Sequence, residues 1–341
     1  MILHNALGID FGTDTIKICD RKNRITVCEK NMIAIRGENH VIAIGDAAYE
    51  MYEKTPTDVK AGCPMRNGVI ADAKNAETVL SYLLKKNKHF LSGQPSVYIA
   101  VPRDISAVEK RAYYNVLNGT IHARKTFLVD KGLADNIGVG VSMTSPRASM
   151  LVNIGAGTTE ISVVADGKVL ISKTLQLGGQ NLDNDVVTMT RRMFHLNIGT
   201  KTAVALKKRL AYVLDGPADI MTVFGISTIS GLPVSAEISS AAVSMAIQST
   251  IEKIGQEIFG ILDRLPPQFY NDIMEAGLCL VGGTSLLTNL SEYFRRVLGV
   301  RISLVREPGL TTLNGIQTIM NTPELADNYT YSLKDLTETI L

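Results

Sequence analysis

The sequence lacks several features, and each absence argues against one class of protein. Its four cysteines show no CxxC spacing, which disfavours a disulfide framework or a zinc site and is typical of a reduced compartment. The net charge of +2 gives no overall attraction for nucleic acid. No apolar run approaches the roughly 18 residues of a membrane span. Residues 1–5 are too short and uncharged to form a signal peptide. We therefore expect a cytoplasmic globular protein that does not bind nucleic acid.

Two stretches of similar pattern stand out against this background. Residues 8–17 and residues 151–161 each begin with an apolar run, turn through glycine and threonine, and return to an apolar run. This pattern predicts a β-hairpin with a tip of small residues. With 341 residues, of which 45% are hydrophobic, the chain is long enough for one large domain or two modest ones.

The residue types in the two predicted hairpins suit a polyphosphate ligand. Glycine lets backbone N–H groups approach a ligand closely, and threonine adds a hydroxyl. Asp10, at the end of its strand, is placed to hold a water on a phosphate-bound Mg²⁺, and Lys17 can add a positive charge. Either hairpin alone is more often an ordinary turn, but two tips that face each other would grip phosphates from both sides. The pair therefore favours nucleotide binding.

Further patterns predict a mixed α/β chain with two similar lobes. Asp166-Gly167 is a two-residue hairpin signal, and the strand-hairpin pattern near residue 8 recurs near residue 151. This weak duplication indicates two lobes with a cleft between them. In residues 238–265, isoleucines recur three and four positions apart, which predicts one helical face that we interpret as core. Pro266-Pro267 ends that helix.

Three other segments carry weaker patterns. Residues 202–214 are predicted as a helix, on which Lys207, Lys208 and Arg209 are interpreted as a solvated basic face. Residues 55–64 are polar and are predicted as a loop. The tail from Pro323 is polar and shows no strong pattern.

With these pieces in order, the sequence resembles the MreB-type bacterial actins, members of the superfamily of actins, heat-shock chaperone ATPases and sugar kinases. The resemblance covers most of the chain. Its most specific segment is residues 64–72, Pro-Met-Arg-Asn-Gly-Val-Ile-Ala-Asp, which matches a run typical of MreB-like proteins. The other matching segments are residues 8–13, Val101-Pro102, residues 153–160, Gly178-Gly179 with Asp183, residues 226–238 and residues 280–287.

The resemblance implies an actin-like ATPase fold of the α/β class, with two ribonuclease-H-like lobes, a nucleotide cleft between them and four subdomains. Lobe I is expected over residues 1–144, with a small inserted subdomain at residues 32–72. Lobe II is expected over residues 145–310, with an insertion at residues 182–248. Residues 311–341 are expected to form C-terminal helices that return to lobe I.

The resemblance also implies ATP and Mg²⁺ as cofactors. The nucleotide-binding residues expected from the matching motifs are Asp10, Gly12, Thr13, Asp14, Lys17, Asn153, Gly155, Ala156, Gly157, Thr158, Gly178, Gly179, Gly282, Gly283 and Thr284. Among them, Asp10 and Asn153 are expected to hold Mg²⁺ through water.

Three positions depart from the family pattern. Asn153 stands where the second loop usually begins with Asp, so the acceptor is kept and the charge is lost. Lys131 stands where a Glu usually positions the attacking water, and a charged lysine cannot act as that base. The adjacent carboxylate, Asp130, follows a strand and can point to a different side. Lys17 replaces a residue that is apolar in many MreB proteins, although conventional actin carries a lysine there. These changes predict retained binding and weakened hydrolysis, and the alternative is a rewired site that still hydrolyses ATP slowly.

Phe90 and Leu91 are candidate membrane contacts because they follow a basic run over residues 85–89. Lysines beside an apolar tip suit an anionic bilayer, and MreB-like proteins use a similarly placed loop. The alternative is a helix end with ordinary lysine enrichment and a buried Phe90. The resemblance further implies self-assembly into filaments at the inner face of the cell membrane, cell-wall synthesis or morphogenesis proteins as partners, and a role in cell shape.

Other functions of the superfamily remain as alternatives. A plasmid- or organelle-positioning actin is hard to separate from a shape-determining one by sequence. A small-molecule kinase would need a carboxylate base, and Lys131 disfavours it. A chaperone-type switch would need a peptide-binding domain, which is not expected in a chain that ends at Leu341. Fold-level likeness does not choose among these, but the segment at residues 64–72 and the length favour the filament protein.

Overall fold

The computed structural model describes residues 5–22, 25–86, 94–121 and 123–332. The strands are β1 Ala6–Phe11, β2 Thr15–Asp20, β3 Ile25–Lys30, β4 Ile33–Arg36, β5 His40–Ile44, β6 Val59–Gly62, β7 Met65–Arg66, β8 Val69–Ile70, β9 Ser96–Val101, β10 Lys125–Asp130, β11 Ser149–Ile154, β12 Thr159–Ala165, β13 Lys168–Leu175, β14 Leu196–Asn197, β15 Ile220–Ser227, β16 Pro233–Ser239, β17 Leu278–Val281, β18 Ile302–Leu304 and β19 Thr330–Tyr331.

The helices are α1 Asp46–Met51, α2 Ala73–Lys86, α3 Ala107–Thr120, α4 Lys131–Gly138, α5 Gly179–Met193, α6 Thr200–Leu210, α7 Ser240–Leu262, α8 Pro267–Ala276, α9 Leu290–Leu298, α10 Thr311–Asn321 and α11 Pro323–Tyr329. The chain divides into two units. Unit 1 comprises Met1–Pro146, Glu160–Thr174 and Gly309–Leu341, and unit 2 comprises Arg147–Thr159 and Leu175–Pro308.

Unit 1 is built on a six-stranded sheet in the order β19-β10-β9-β1-β2-β3. The three central strands run parallel, and β2 and β19 pair antiparallel to their neighbours. Every residue of β1 is buried, because helices cover both faces of the sheet. Leu7, Ile9 and Phe11 pack into one apolar cluster with α2 and α3, whereas Ala6 packs into a second cluster with α4 and α10. This alternation follows from the two-residue period of a strand.

The even-numbered face of β1 is shaped by a glycine. A Cβ at Gly8 would lie 2.9 Å from the Ile316 side chain of α10, so only glycine lets the helix approach this closely. Asp10 follows on the same face of the strand, by the same period. The sequence therefore brings a carboxylate to the end of a buried strand, next to the turn that joins β1 to β2.

Unit 1 also contains a three-stranded sheet, β5-β4-β6, and the short pair β7-β8. The small sheet has its own apolar cluster with α1, centred on Met32, Ala34, Ala48 and Val59. Strands β12 and β13 are neighbours in a sheet, and Asp166-Gly167 connects them with φ angles of 50° and 66°. Both values lie in the left-handed region that a two-residue hairpin turn requires, which confirms the predicted turn.

Unit 2 is built around the parallel strands β11, β17 and β18, in that order. A second sheet, β14-β15-β16, is antiparallel. The long helix α7 packs against α5, α6 and α9. The isoleucine face predicted from its spacing is confirmed as core, since all five side chains are buried: Ile247, Ile251, Ile254, Ile258 and Ile261.

The tail from Pro323, which showed no strong pattern and was expected to form C-terminal helices, contains α11 and β19 over its described residues. Two predictions of secondary structure were wrong. The segment predicted as a loop at residues 55–64 contains β6, which forms by pairing with β4. The helix predicted to reach residue 214 ends at Leu210, because Tyr212 and Val213 turn away to pair with Thr288. In each case the decisive partner is distant in the sequence. Within the described ranges, no helix is both long and apolar enough to cross a membrane.

Candidate functional site

The first predicted hairpin is confirmed as the turn between β1 and β2. Its Gly12 N–H donates to the Thr15 carbonyl over 3.1 Å, and the Asn31 side chain donates to the Gly12 carbonyl over 2.9 Å. A Cβ at position 12 would lie 2.7 Å from the Thr15 carbonyl oxygen, so the turn requires glycine. Two hydrogen bonds and a required glycine therefore fix the backbone conformation of this tip.

Lys17 and Asp10 form a buried ion pair across this hairpin. The two residues are directly opposite in the register of β1 and β2, and Lys17 Nζ lies 2.8 Å from Asp10 Oδ2. Burial acts to raise the pKa of Asp10, but the charges of Lys17 and Lys131 outweigh it, so that the pKa of this carboxyl lies below its ordinary value. Asp10 is therefore ionised at neutral pH, and Lys17 is held against it.

The rest of the hairpin tip divides between a buried and an exposed part. Thr13 is buried, and its carbonyl accepts a hydrogen bond from the Cys63 thiol over 3.0 Å. Asp14 lies at the surface, where Lys30 Nζ approaches within 2.8 Å. The structure thus buries Thr13 and places Asp14 in a solvent-exposed ion pair.

Lys131, the first residue of α4, is paired with Glu160 in unit 1. Lys131 Nζ lies 2.6 Å from Glu160 Oε1, and the two side chains are only 18% and 9% exposed. Burial acts to lower the pKa of Lys131, but Glu160, Asp10 and Asp135 raise it, and the result is a pKa well above the ordinary lysine value. Lys131 is consequently an ammonium group at physiological pH and cannot accept a proton from water.

Asp130 points away from Lys131. Its carboxylate accepts a hydrogen bond from Arg103 over 2.5 Å and one from the Tyr331 hydroxyl over 3.1 Å. Burial and the neighbouring Asp130 raise the pKa of Tyr331, so this hydroxyl remains a donor. Asp130 ends β10 and Lys131 begins α4, so the chain changes direction between them and the two side chains have separate partners.

Sequence reasoning missed several residues that hold this site together. Glu160 was part of a matching motif but received no role, and nothing in the local sequence marks Arg103 or Tyr331 as partners of Asp130. Asp135 is fully buried and accepts a hydrogen bond from the Thr312 hydroxyl over 2.6 Å. The burial of Asp135 is visible only in the folded protein, where such a group needs a partner, so the local sequence carried no signal for it.

In unit 2, the second predicted loop is tied to the start of α5. The Gly155 N–H donates to the Thr158 carbonyl over 2.8 Å and closes the turn after β11. The Gly179 N–H donates to the Gly155 carbonyl over 3.0 Å. A Cβ at Gly178 would lie 2.7 Å from the Ala156 carbonyl oxygen, so the two backbones touch only because position 178 is glycine.

The loop after β17 joins the same cluster. Gly282 has a φ angle of 87°, and a Cβ there would lie 2.3 Å from the Ile154 carbonyl oxygen. The Thr284 hydroxyl donates to the Gly155 carbonyl over 2.8 Å. A Cβ at Gly283 would meet nothing within 4 Å, so open space lies beside this residue. Three glycine-containing loops of unit 2 are therefore in mutual contact, with backbone exposed next to them.

The interpretation of Lys207 as part of a solvated face was wrong. Lys207 Nζ lies 2.8 Å from Asp183 Oδ1 and donates to the Gly179 carbonyl over 2.8 Å. Asp183 is buried, and a buried carboxylate is stabilised by a counter-charge. Lys208 and Arg209 are exposed, as predicted. Lys207 thus belongs to the glycine-rich loop cluster of unit 2.

The donor set available to Mg²⁺ is weak. Mg²⁺ is usually held by one or two carboxylates together with phosphates and water. Asp10 has one oxygen already paired with Lys17, and Asn153 offers a neutral amide oxygen. Over the part of the chain that the structure describes, no three His, Cys, Asp or Glu side chains are grouped to hold a metal ion. These residues do not fit a cation held mainly by the protein. The predicted membrane residues Phe90 and Leu91 lie outside the described residues.

Comparison of the fold with solved structures gives the class of protein. MreB5 of Spiroplasma citri bound to ADP has a TM-score of 0.88 to this chain at 25% identity, covering 93% of this chain and 96% of that one. The same protein bound to AMPPNP gives a TM-score of 0.90 at 24% identity, covering 96% and 98%. The MamK double helical filament gives 0.77 at 19% identity, covering 93% and 99%. The predicted actin-like α/β fold is confirmed.

Sequence comparison then gives the family. The model of the MreB/Mbl protein family matches residues 4–328. The cell shape-determining protein MreB of Escherichia coli (strain K12) is 31% identical over 313 residues, which is 89% of this chain and 90% of the relative. The cell shape-determining protein Mbl of Bacillus subtilis (strain 168) is 29% identical over 305 residues, covering 89% and 91%. The chain belongs to the MreB/Mbl family, as the motifs predicted.

Proposed function

We propose that this chain is an ATP-binding member of its family that assembles into membrane-associated filaments, takes part in determining cell shape, and hydrolyses ATP weakly. The observation that supports ATP binding is the geometry of the glycine-containing loops within each of the two units. In unit 1, Asp10 and Lys17 lie at a rigid glycine turn. In unit 2, Gly155, Gly282 and Thr284 hold three loops together with open space beside them.

The proposed contacts follow from the chemistry of these loops. Backbone N–H groups at the small-residue turns are suited to phosphate oxygens, and Lys17 adds a point charge. Gly282 to Thr284, which follow β17, are assigned to the adenosine side. Mg²⁺ accompanies the phosphates in this proposal, with contacts to Asp10 and Asn153 through water. MreB5 of Spiroplasma citri has been solved with ADP and with AMPPNP, which supports the choice of ligand.

Weak hydrolysis follows from the environment of Lys131. The position expected to carry a water-positioning carboxylate carries an ammonium group paired with Glu160. The neighbouring carboxylate, Asp130, is engaged by Arg103 and Tyr331. Neither residue is arranged to accept a proton from an attacking water, so we assign nucleotide retention rather than rapid turnover to this site.

Self-assembly is supported by exposed apolar side chains on the β15-β16 hairpin. Phe224, Ile229 and Leu232 are 77%, 78% and 63% exposed. Clustered large apolar groups at a surface are typical of interaction sites. The MamK filament shows that this fold forms double helical assemblies in another protein. Partners among cell-wall synthesis or morphogenesis proteins, and a location at the cytoplasmic face of the membrane, are proposed from the family alone.

The test is high-speed pelleting of the purified protein with Mg-ATP, Mg-ADP or no nucleotide, with phosphate release measured in parallel. We expect the pelleted fraction to rise with ATP while phosphate release stays slow. An equal pelleted fraction in all three conditions would contradict assembly that depends on ATP. Rapid phosphate release would contradict weak hydrolysis. Protein that stays soluble in all three conditions, over a range of concentrations and with liposomes added, would contradict filament formation.

A pair of variants makes the pelleting test specific to the hairpin. We expect Phe224→Ser with Leu232→Ser to lower the pelleted fraction, because two exposed apolar contacts are lost. Val108→Ser is the matched control, since Val108 is 78% exposed but lies on α3. Both proteins should melt at nearly the temperature of the parent. Equal pelleting by the double variant and the control would exclude the hairpin as an assembly surface.

A further inference from the structure

The outer side of α5 and α6 in unit 2 is strongly basic. Between Val186 and Leu214 the sequence has six lysines and arginines and no aspartate or glutamate. Four of the six are exposed and form what we call the basic face: Arg191, Arg192, Lys208 and Arg209. We infer that this face binds the phosphate groups of an anionic phospholipid membrane. The inference rests on the proposed function, because it names a surface by which the membrane-associated protein contacts lipid.

The packing of the two helices brings these charges to one side of unit 2. α5 and α6 pack against each other, both pack against α7, and each has one buried side and one exposed side. Lys207, near the end of α6, contacts Asp183, near the start of α5, so the two helices are antiparallel. Arg191 is eight positions beyond Asp183, which is about 12 Å along a helix. The basic face is therefore extended, as a contact with a flat surface requires.

The protein neutralises little of this charge. Among the described residues, no side-chain hydrogen bond or ion pair engages Arg191, Arg192 or Lys208. Arg209 Nε lies 3.6 Å from Asp219 Oδ2, and the two side chains are 59% and 47% exposed. An ion pair this open to solvent is weak, so an anionic ligand can compete for the arginine. The net charge of the whole chain is only +2, so the positive charge is concentrated locally.

The residue types on the face suit phospholipid. Guanidinium groups donate two parallel hydrogen bonds to phosphate oxygens, and each lysine or arginine near an anionic bilayer adds to the attraction. Met193 follows the two arginines directly and is 52% exposed. An apolar side chain beside cations can enter the boundary between headgroups and acyl chains. A nucleic acid offers phosphates as well, but it gives Met193 no apolar environment.

The face adds an electrostatic contact to the apolar anchor predicted at Phe90 and Leu91. Stable membrane association usually takes two signals, because a single weak one is readily reversed. Loss of either contact should therefore lower the affinity for liposomes. The two contacts can be distinguished by substitution, since they lie in different segments of the chain.

The experiment is co-sedimentation of the full chain with liposomes of phosphatidylcholine alone or mixed with phosphatidylglycerol. We expect the parent to bind only the anionic liposomes. The triple variant Arg191→Gln, Arg192→Gln and Lys208→Gln should lower the partition coefficient at least about tenfold, because each cation near the surface accounts for roughly fivefold. Its pelleting with ATP in the absence of liposomes should match the parent.

The matched control removes three exposed cations of unit 2 that lie outside α5 and α6: Lys253→Gln, Arg264→Gln and Arg306→Gln. It has the same net charge as the triple variant and should bind liposomes like the parent. A second comparison uses a single-stranded oligonucleotide as a soluble polyanion. Met193→Ser should lower binding to anionic liposomes about threefold, because an apolar contact is lost, and should not change binding to the oligonucleotide.

Three results would overturn the inference and leave the proposed function standing. They are equal liposome binding by the triple variant and the parent, an equal loss in the control, and tighter binding of the parent to the oligonucleotide than to anionic liposomes. A parent that binds no anionic liposomes would contradict membrane association itself, and the inference with it. Circular dichroism shows whether the triple variant is folded. If it is not, Lys208→Gln alone replaces it, with a loss of about fivefold expected and the same conclusion from an unchanged partition coefficient.

Discussion

At the scale of single residues, the buried charges of Lys131 and Glu160 stabilise each other. Both side chains are largely buried and lie 2.6 Å apart. Removing one member of such a pair leaves a charge without its partner in a medium of low polarity, which is strongly destabilising. Asp10 and Asp135 add further negative charge around the lysine. The ammonium group is therefore part of the folded structure as well as of the proposed ligand site.

A charge reversal at this residue tests the pair. Lys131→Glu places a carboxylate beside Glu160, Asp10 and Asp135, and we expect the free energy of unfolding to fall by about 3 kcal/mol or more. The double variant Lys131→Glu with Glu160→Lys keeps one charge of each sign and should recover more than half of that loss. Denaturant titration followed by circular dichroism measures both. Equal stability of the single variant and the parent would show that the pair is not formed in the folded protein.

At the scale of elements, α4 and α10 approach each other through glycine. A Cβ at Gly315 would lie 1.7 Å from the Ala134 carbonyl oxygen, and one at Gly138 would lie 2.2 Å from the Thr311 carbonyl oxygen. Backbone cannot move away as a flexible side chain can. This contact fixes the position of α4, which begins at Lys131, and so couples helix packing to the site.

The glycine contact can be tested with two alanine substitutions of opposite effect. Gly315→Ala should lower the free energy of unfolding by about 2 kcal/mol or more, because the added methyl group clashes with backbone. Gly260→Ala is the control in α7, where a Cβ meets nothing within 4 Å. There alanine should raise stability by about 0.5–1 kcal/mol, since it favours the helical conformation. Thermal melts of the two variants would contradict this packing if they shifted in the same direction.

Elements with a local periodic signal were predictable from the sequence. The isoleucine spacing gave the buried face of α7, Asp166-Gly167 gave the turn after β12, and the apolar run at residues 278–281 coincides with β17. Elements that exist only through a distant partner were not predictable. β6 forms because it pairs with β4, and β19 because it pairs with β10. Neither segment carries enough apolar alternation to mark it as a strand alone.

At the scale of the whole chain, motifs located the loops of the candidate site but not the contacts within it. Lys131 and Glu160 are separated by 29 positions, and Asp130 and Tyr331 by 201. The Asp130–Tyr331 contact depends on the pairing of β10 with β19, and the Lys131–Glu160 contact on the packing of α4 near β12, neither of which local patterns encode. A departure from a family motif, such as Lys131, could be read from the sequence. Its ion-pair partner, Glu160, could be assigned only from the folded structure.

Membrane association belongs to the same scale, because it concerns the protein as an assembly on a surface. The sequence-based hypothesis assigns it to Phe90 and Leu91. We expect Phe90→Ser with Leu91→Ser to abolish co-sedimentation with anionic liposomes, since the apolar anchor is lost while the neighbouring lysines remain. Pelleting with ATP in the absence of liposomes should be unchanged.

The control for this experiment is again Val108→Ser, which removes one exposed apolar side chain of α3. It should bind liposomes like the parent. Raising the salt concentration should weaken liposome binding by the parent, because lysine contacts with anionic lipid are screened. Unchanged co-sedimentation of the Phe90 and Leu91 double variant would exclude this segment as the anchor.

The mutual dependence of Lys131 and Glu160 also constrains how descendants of this sequence can diverge. A carboxylate at position 131 cannot arise by one substitution without a protein that folds poorly, because Glu160, Asp10 and Asp135 already surround this position. Changing Glu160 first removes the nearest partner of a buried lysine. Both first steps are disfavoured, so the exchange must occur in both residues together. A lineage that carries this pair therefore keeps it, because the first substitution at either position lowers the stability of the folded protein.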